Sequence, residues 1–175
     1  PDPWERDESY ARHHEVDVEE VLPLVGIEPE YLYQAQQYRR SAYAKEIKTA
    51  LEKREELVDI LNSYRDDEHK IRGPWWPVSV FCSSCNRDTT EILSWNGDWE
   101  LTYQCSECGH RETVDIRQAQ GVKLGWRVDW PMRWAHEGVD FEPAGKDHHS
   151  QGGSFDTAKH IARKVYNFEP PISFR

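Results

Sequence analysis

The feature that most constrains this chain is the arrangement of its four cysteines, Cys82-Ser83-Ser84-Cys85 and Cys105-Ser106-Glu107-Cys108, two Cys-x-x-Cys pairs with 19 residues between them. A Cys-x-x-Cys turn aims two thiolates at one ion, and two such turns complete the tetrahedral four-sulfur shell that Zn²⁺ takes at about 2.3 Å per bond. Asn86 and Gly109 follow the two pairs, and both residue types accept a left-handed backbone. Between the pairs, β-type runs at Thr89–Trp95 and Trp99–Gln104 flank Asn96-Gly97, a dipeptide suited to a tight hairpin turn, and Arg111–Ile116 offers a third strand. The pattern predicts a zinc ribbon. Cys82, Cys85, Cys105 and Cys108 would hold a structural ion, because four thiolates leave no position for a bound water. Iron in a four-thiolate site shares this ligand type. Two disulfides would restrain very little loop, and neither pair opens a helix after a strand, as a redox dithiol does. His110 is a spare ligand candidate beside the second pair.

The rest of the chain reads as mixed α and β. Val16, Val18, Val21, Leu22 and Val25 recur at helical spacings up to Gly26, which predicts a short helix over 15–25, and a weak alternation over 27–34 suggests a short strand. From Arg39 to Tyr64 the apolar positions Ala44, Ile47, Ala50, Leu51, Leu57, Val58 and Leu61 recur every three or four residues, which predicts one helix of about 25 residues. A charged linker, Asp66 to Lys70, and the breaker Gly73-Pro74-Trp75-Trp76-Pro77 separate it from the ribbon. Near the carboxyl end, Phe155, Ala158, Ile161, Ala162, Val165 and Tyr166 share the face of an amphipathic helix that Pro170-Pro171 would end. The domain expectation is 1–70, a ribbon over 71–120, and 121–175.

With 32 acidic against 22 basic residues, the chain carries a formal charge of -10, which repels a phosphate backbone unless cations collect on one face. Nonspecific binding to nucleic acid, DNA included, is therefore not expected. No run of about 18 apolar residues offers a membrane span, and the amino end lacks a secretory pattern. The expected compartment is the cytoplasm. Only 37% of residues are hydrophobic, yet eight Trp, eight Tyr and five Phe are among them, so large aromatic groups must build the core or a site.

Two stretches invite a functional reading. Trp126-Arg127-Val128-Asp129-Trp130-Pro131-Met132-Arg133-Trp134 packs three Trp around one Asp. It reads either as a buried aromatic brace with an Asp capping a turn, or as an amino-acid pocket in which Asp129 meets an ammonium and Trp packs on the aliphatic stem. The loop Gly145-Lys146-Asp147-His148-His149-Ser150-Gln151-Gly152-Gly153 precedes the last helix, where glycines permit close backbone approach and helix amides attract an anion. His148 and His149 are candidate metal ligands, substrate contacts or plain surface residues.

Together, the Trp126–Trp134 motif, Gly145-Lys146-Asp147-His148-His149 with Gln151-Gly152-Gly153-Ser154, the opening Pro1-Asp2-Pro3 and the paired cysteines resemble the class I lysyl-tRNA synthetases of archaea and some bacteria. The resemblance implies a Rossmann-type parallel sheet interrupted by a zinc-binding connective insertion. It also implies an activity that condenses lysine with ATP, with Mg²⁺ as counter-ion, and passes the lysyl group to tRNA(Lys). It places Trp126, Asp129, Trp130 and His148 with lysine, and Gly145, Asp147, His149, Gln151, Gly152 and Gly153 towards the nucleotide. Neither signature motif of class I synthetases, His-Ile-Gly-His or Lys-Met-Ser-Lys-Ser, is present, so the chain reads as an interior fragment that holds no catalytic residue and is inactive alone. A noncatalytic zinc-ribbon module binding nucleic acid or protein is the competing reading, although Arg87 and Arg111 make only a thin basic patch. An iron-sulfur-type electron carrier is the third.

Overall fold

Ser9 starts the first helix. Its Oγ accepts the Arg12 amide at 3.1 Å, capping α1 (Tyr10–Val21), which runs into a 3₁₀ turn over Leu22–Val25 closed by Gly26 at φ 76. The helix thus begins five residues before the apolar pattern that announces it. The computed structural model describes residues 6–174; Pro1-Asp2-Pro3 and Trp4-Glu5, where the family resemblance begins, lie outside the described residues. These fall into two compact units, one up to Tyr33 and one from Gln34 onwards. Within the first, Arg12 grips both oxygens of Glu19 at 2.5 and 2.9 Å, and the Tyr33 hydroxyl donates to the same carboxylate at 2.7 Å. The strand expected over 27–34 does not form: 27–33 has no regular secondary structure and pairs with no described strand, Gln34 already opens a helix, and a strand without a ladder has nothing to hold it.

The second unit opens with a correction. The single helix expected from Arg39 to Tyr64 is three helices, α2 (Gln34–Arg39), α3 (Ala44–Glu52) and α4 (Arg54–Ser63). Ser41, at φ 55, closes α2 through Ala42 N–H to Gln37 O and Ser41 N–H to Tyr38 O, both 3.0 Å, the paired bonds of a Schellman cap. Lys53 bends the chain between α3 and α4. The bend brings Leu57, Ile60 and Leu61 into the same core as Ile47, Ala50 and Leu51; in a straight helix the next inward position after Leu51 would be Arg54.

After α4 the chain forms β1 (Val78–Val80), leaves to make the ribbon β2 (Thr90–Trp95), β3 (Glu100–Cys105) and β4 (Arg111–Asp115), and returns as β5 (Val122–Leu124) antiparallel to β1. The ribbon is an antiparallel meander, with Thr90 opposite Cys105 and Leu101 opposite Val114, and a bulge at Leu93. Asn96 and Gly97 do lie in the hairpin connection, with Gly97 at φ 82, but the connection runs over 96–99 and is not a two-residue turn: Asn96 keeps a negative φ and its Oδ1 accepts the Asp98 and Glu100 amides at 2.8 and 3.1 Å. Two further helices follow, α5 (Trp126–Glu137) and α6 (Ser154–Val165). Helix α6 stops before Pro170-Pro171, because Asn167 at φ 51 already turns the chain away.

The fold is mixed α/β, but the described residues do not form the parallel sheet expected of a Rossmann domain. Both sheets are antiparallel, and the only parallel pairing among these residues is one bridge, Phe141 to Ile172. A parallel sheet needs neighbouring strands joined by crossovers; here β1 and β5 instead close on each other across the ribbon they enclose. One core runs from Ile47, Leu57 and Leu61 through Val80 and Val122 to Leu101 and Tyr103 of the ribbon, and a second, aromatic cluster joins α5 to α6. No described helix is long and apolar enough to cross a membrane.

Candidate functional site

The two cysteine knuckles face each other at one end of the ribbon. Asn86 N–H to Cys82 O (2.8 Å) and Gly109 N–H to Cys105 O (3.0 Å) close matching turns, with Asn86 at φ 56 and Gly109 at φ 73, as the sequence anticipated. The Cys82–Cys108 and Cys85–Cys105 sulfurs stand 3.6 Å apart, and all four lie within 4.8 Å of one another. A disulfide would need about 2.05 Å. A tetrahedral shell with bonds of about 2.3 Å separates its sulfurs by about 3.8 Å, so the cluster is compatible with a shared metal ion. The Cys108 amide draws the Cys105 thiol down to about 6, against the cost of burial. Cys85 is pushed up to about 12: its bond from the Arg87 amide is outweighed by burial and by contacts with the Cys108, Cys105 and Cys82 thiols. His110 is not gathered with the cysteines; its Nε2 lies 3.2 Å from Ser83 Oγ and 3.4 Å from Glu112.

Helix α5 and the loop before α6 bring together part of the second predicted site. Trp126 and Trp130 stack with centroids 5.0 Å apart at 16°, and His148 lies 5.5 Å from Trp130 and 6.3 Å from Trp126. Trp126 is 50% exposed while Trp130 is buried, so the pair forms a face anchored on one side and open on the other. His148 is fixed by its Nδ1 contact with Ser154 Oγ at 2.7 Å. His149 turns the other way, to Ser173 Oγ at 3.0 Å and the Phe155 ring. Pro131 is tolerated one turn into α5, and the Trp134 indole donates to Glu142 at 2.8 Å. The Trp stretch thus divides by burial: Trp134 is buried brace, whereas Trp126 is open surface.

Asp129 is not brought to this face. Its Oδ1 accepts the Tyr38 hydroxyl, and its Oδ2 lies 2.9 Å from Arg133 Nε, an ion pair without hydrogen-bond alignment. Sequence reasoning missed both partners. Arg133 carried a signal, four residues on along the same helix, whereas Tyr38 stands 91 residues away and carried none.

The glycine-bearing loop folds tightly onto α6. Phe155 N–H donates to His148 O at 3.1 Å and Gly153 N–H to Ser150 O at 2.8 Å; a Cβ on Gly153 would meet both carbonyl oxygens at 2.7 Å, so only glycine fits. Gly152, at φ 72, donates its N–H to Asp156 Oδ2 at 3.1 Å. The helix start thus already carries a carboxylate, another contact the sequence reading missed. Gly145, Asp147 and Gln151 lie on the exposed outer rim of the loop.

A cleft of about 860 Å³ lies elsewhere, between α2 and the ribbon, lined by Tyr38, Arg39, Phe81, Tyr103, Glu112 and Lys123 among others. It shares no residue with the Trp126–His148 face.

Comparison with known proteins accounts for this combination. The chain is 58% identical over its full 175 residues to a lysine–tRNA ligase of Treponema pallidum. It is 50% identical to one of Borreliella burgdorferi, and 49% identical over 99% of its length to one of Pyrococcus horikoshii. In each case it covers 33% of the relative, so it spans about a third of the length of the curated proteins it matches. The family model for class I (K) tRNA synthetases matches residues 1–175, and the chain belongs to that family.

Proposed function

We propose that this chain is part of a lysine–tRNA ligase and supplies one wall of its amino-acid site. The observation that carries the reading is the convergence of Trp126, Trp130 and His148 on one open face, in a chain 58% identical throughout to a protein of that name. In the reaction a lysine carboxylate oxygen attacks the α-phosphorus of ATP and pyrophosphate leaves; a ribose hydroxyl of tRNA(Lys) then attacks the activated carbonyl and AMP leaves. The Trp pair offers an apolar wall for the lysine stem, and His148, held by Ser154, orients the substrate. Of the loop residues that the resemblance places towards the nucleotide, Gly145, Asp147 and Gln151 form the exposed rim that would face it, while His149, Gly152 and Gly153 hold the loop in shape, and Mg²⁺ would accompany ATP as counter-ion. No residue of this chain is assigned a catalytic role. The parallel bridge Phe141–Ile172 would belong to a nucleotide-binding sheet completed by strands outside this chain.

The ribbon's role in this reading is structural. Cys82, Cys85, Cys105 and Cys108 fit Zn²⁺ by donor type and sulfur spacing, and a closed shell supplies rigidity, not reactivity. The metal would brace an insertion near the tRNA acceptor end. The compartment proposed is the cytoplasm, where the other components of protein synthesis work.

Lysine-dependent ATP–pyrophosphate exchange tests the proposal. The full-length protein should exchange with lysine, while these 175 residues alone should not, since stabilisation of the transferring phosphate must come from groups elsewhere. Exchange by the isolated chain, or its absence in the full-length protein, refutes this assignment.

A further inference from the structure

A carboxylate that receives a substrate ammonium has to be open to it, and Asp129 is not. Its side chain is 15% exposed, one oxygen takes the Tyr38 hydroxyl, and Arg133 already supplies the positive charge that a lysine side chain would bring. The Tyr38 hydroxyl also receives the Leu124 amide at 3.4 Å, so it sits where β5 ends and α5 begins, with Gly125 as the joint. Burial first, and then the charge of Asp129, raise the Tyr38 hydroxyl far above its ordinary value, which keeps it a donor.

Trp126 and Trp130 are carried on the same first turns of α5, and successive helix residues are separated by about 100°. A bond that fixes the azimuth of Asp129 therefore fixes theirs. Trp126 needs this, because half of its surface is in solvent and little packing aims it. We infer that Asp129 is a positioning residue: with Tyr38 and Arg133 it sets the rotation of α5 that presents Trp126 and Trp130 beside His148. The inference rests on the ligase reading for its kinetic consequences, but not for its geometry.

Two measurements on the full-length protein test it. The first is kinetic: Tyr38→Phe should raise the lysine KM about 3- to 10-fold, leaving the ATP KM and the metal content unchanged. Asp129→Asn should weaken lysine and norleucine, which keeps the stem but lacks the ammonium, by the same factor. Collapse of that discrimination in Asp129→Asn would show that Asp129 meets the ammonium, and overturns the inference. So does an unchanged lysine KM in Tyr38→Phe, or an equal rise for ATP. The second needs no activity: Trp126 and Trp130 lie 6.3 and 5.5 Å from the His148 ring on another segment, so the ring-current displacement of the His148 ring-proton resonances should be reduced in Trp126→Leu and reduced likewise in both Tyr38→Phe and Asp129→Asn. A displacement intact in the latter two refutes the positioning role even if the protein proves not to be a ligase. Loss of lysine-dependent exchange in the wild type with the displacement behaving as stated refutes only the ligase reading.

Discussion

The ribbon and the α5–α6 region solve the same problem, holding a few side chains at fixed separations, by opposite means. In the ribbon the determinants are local: each knuckle spans five residues, its turn is closed by its own backbone, and the two knuckles are joined by a hairpin with its own turn signal. In the α5–α6 region they are distant: Asp129 of α5 is held by Tyr38 from α2, Trp130 packs against Phe155 of α6, and the His148 loop closes on a glycine that must approach two carbonyls. The first arrangement is specified by sequence spacing, the second by packing. A metal ion can stabilise the first in one step, whereas the second loses stability in increments.

That difference predicts unequal consequences. Cys105→Ser should have the largest effect, because ligand loss removes metal-binding energy that in small zinc domains amounts to about 10–16 kcal/mol and is also folding energy. Bound zinc should fall from one equivalent to well under half, and amide exchange protection over β2–β4 should be lost while α6 stays protected. Retention of zinc, or collapse of α6 together with the ribbon, would abolish the distinction. Trp134→Ala should come next. The indole is 1% exposed and donates to Glu142, and deleting such a buried aromatic costs about 3–5 kcal/mol. Denaturant unfolding should show this loss with zinc content unaltered; a loss below about 1 kcal/mol would mean that the aromatic cluster is not what holds α5 to α6.

The same contrast explains what could be read from the sequence. The cysteine knuckles, the place of the hairpin connection at Asn96-Gly97, all three ribbon strands and the inward face of α6 were legible because each depends on residues close together in the chain. The break at Ser41 was not, since serine does not announce a left-handed conformation, and the bend at Lys53 has no glycine or proline to mark it. Pro131 obscured α5 as a helix. Periodicity gave the apolar face of the 39–64 segment but not its division, because a stripe of buried residues is indifferent to small redirections between turns. The family resemblance grouped Trp126, Asp129, Trp130 and His148; the rings of Trp126, Trp130 and His148 lie within 5.0–6.3 Å of one another, whereas the Asp129 carboxylate is engaged by Tyr38 and Arg133, a partnership the sequence did not announce.

The smallest expected effect concerns the loop itself. Asp156 sits in the first turn of α6, where Lys159 Nζ donates to it at 2.8 Å and the Gly152 amide at 3.1 Å; the Lys159 bond first, and the amide against the cost of burial, hold its carboxyl below the usual range. A carboxyl depressed in the folded state contributes stability that is present above its unfolded value of about 3.9 and is lost as pH falls through the folded value. Asp156→Asn should therefore lower stability at pH 7 and leave it unchanged at pH 2, flattening the acid limb between. The amount is small. Both Asp156 and Lys159 are more than a third exposed, so solvent screening limits the ion pair, and a total of about 0.5 kcal/mol is expected. The ribbon offers the control: Asp115 is held below its usual range by Arg117, so Asp115→Asn should flatten the acid limb in the same sense. Denaturant midpoints at a series of pH values, with zinc saturating, separate the cases. Equal small shifts mean that local electrostatics treats the two regions alike and that their difference lies wholly in metal and packing. A loss above about 2 kcal/mol for Asp156→Asn alone would show that the loop depends on one carboxylate as the ribbon depends on its ion.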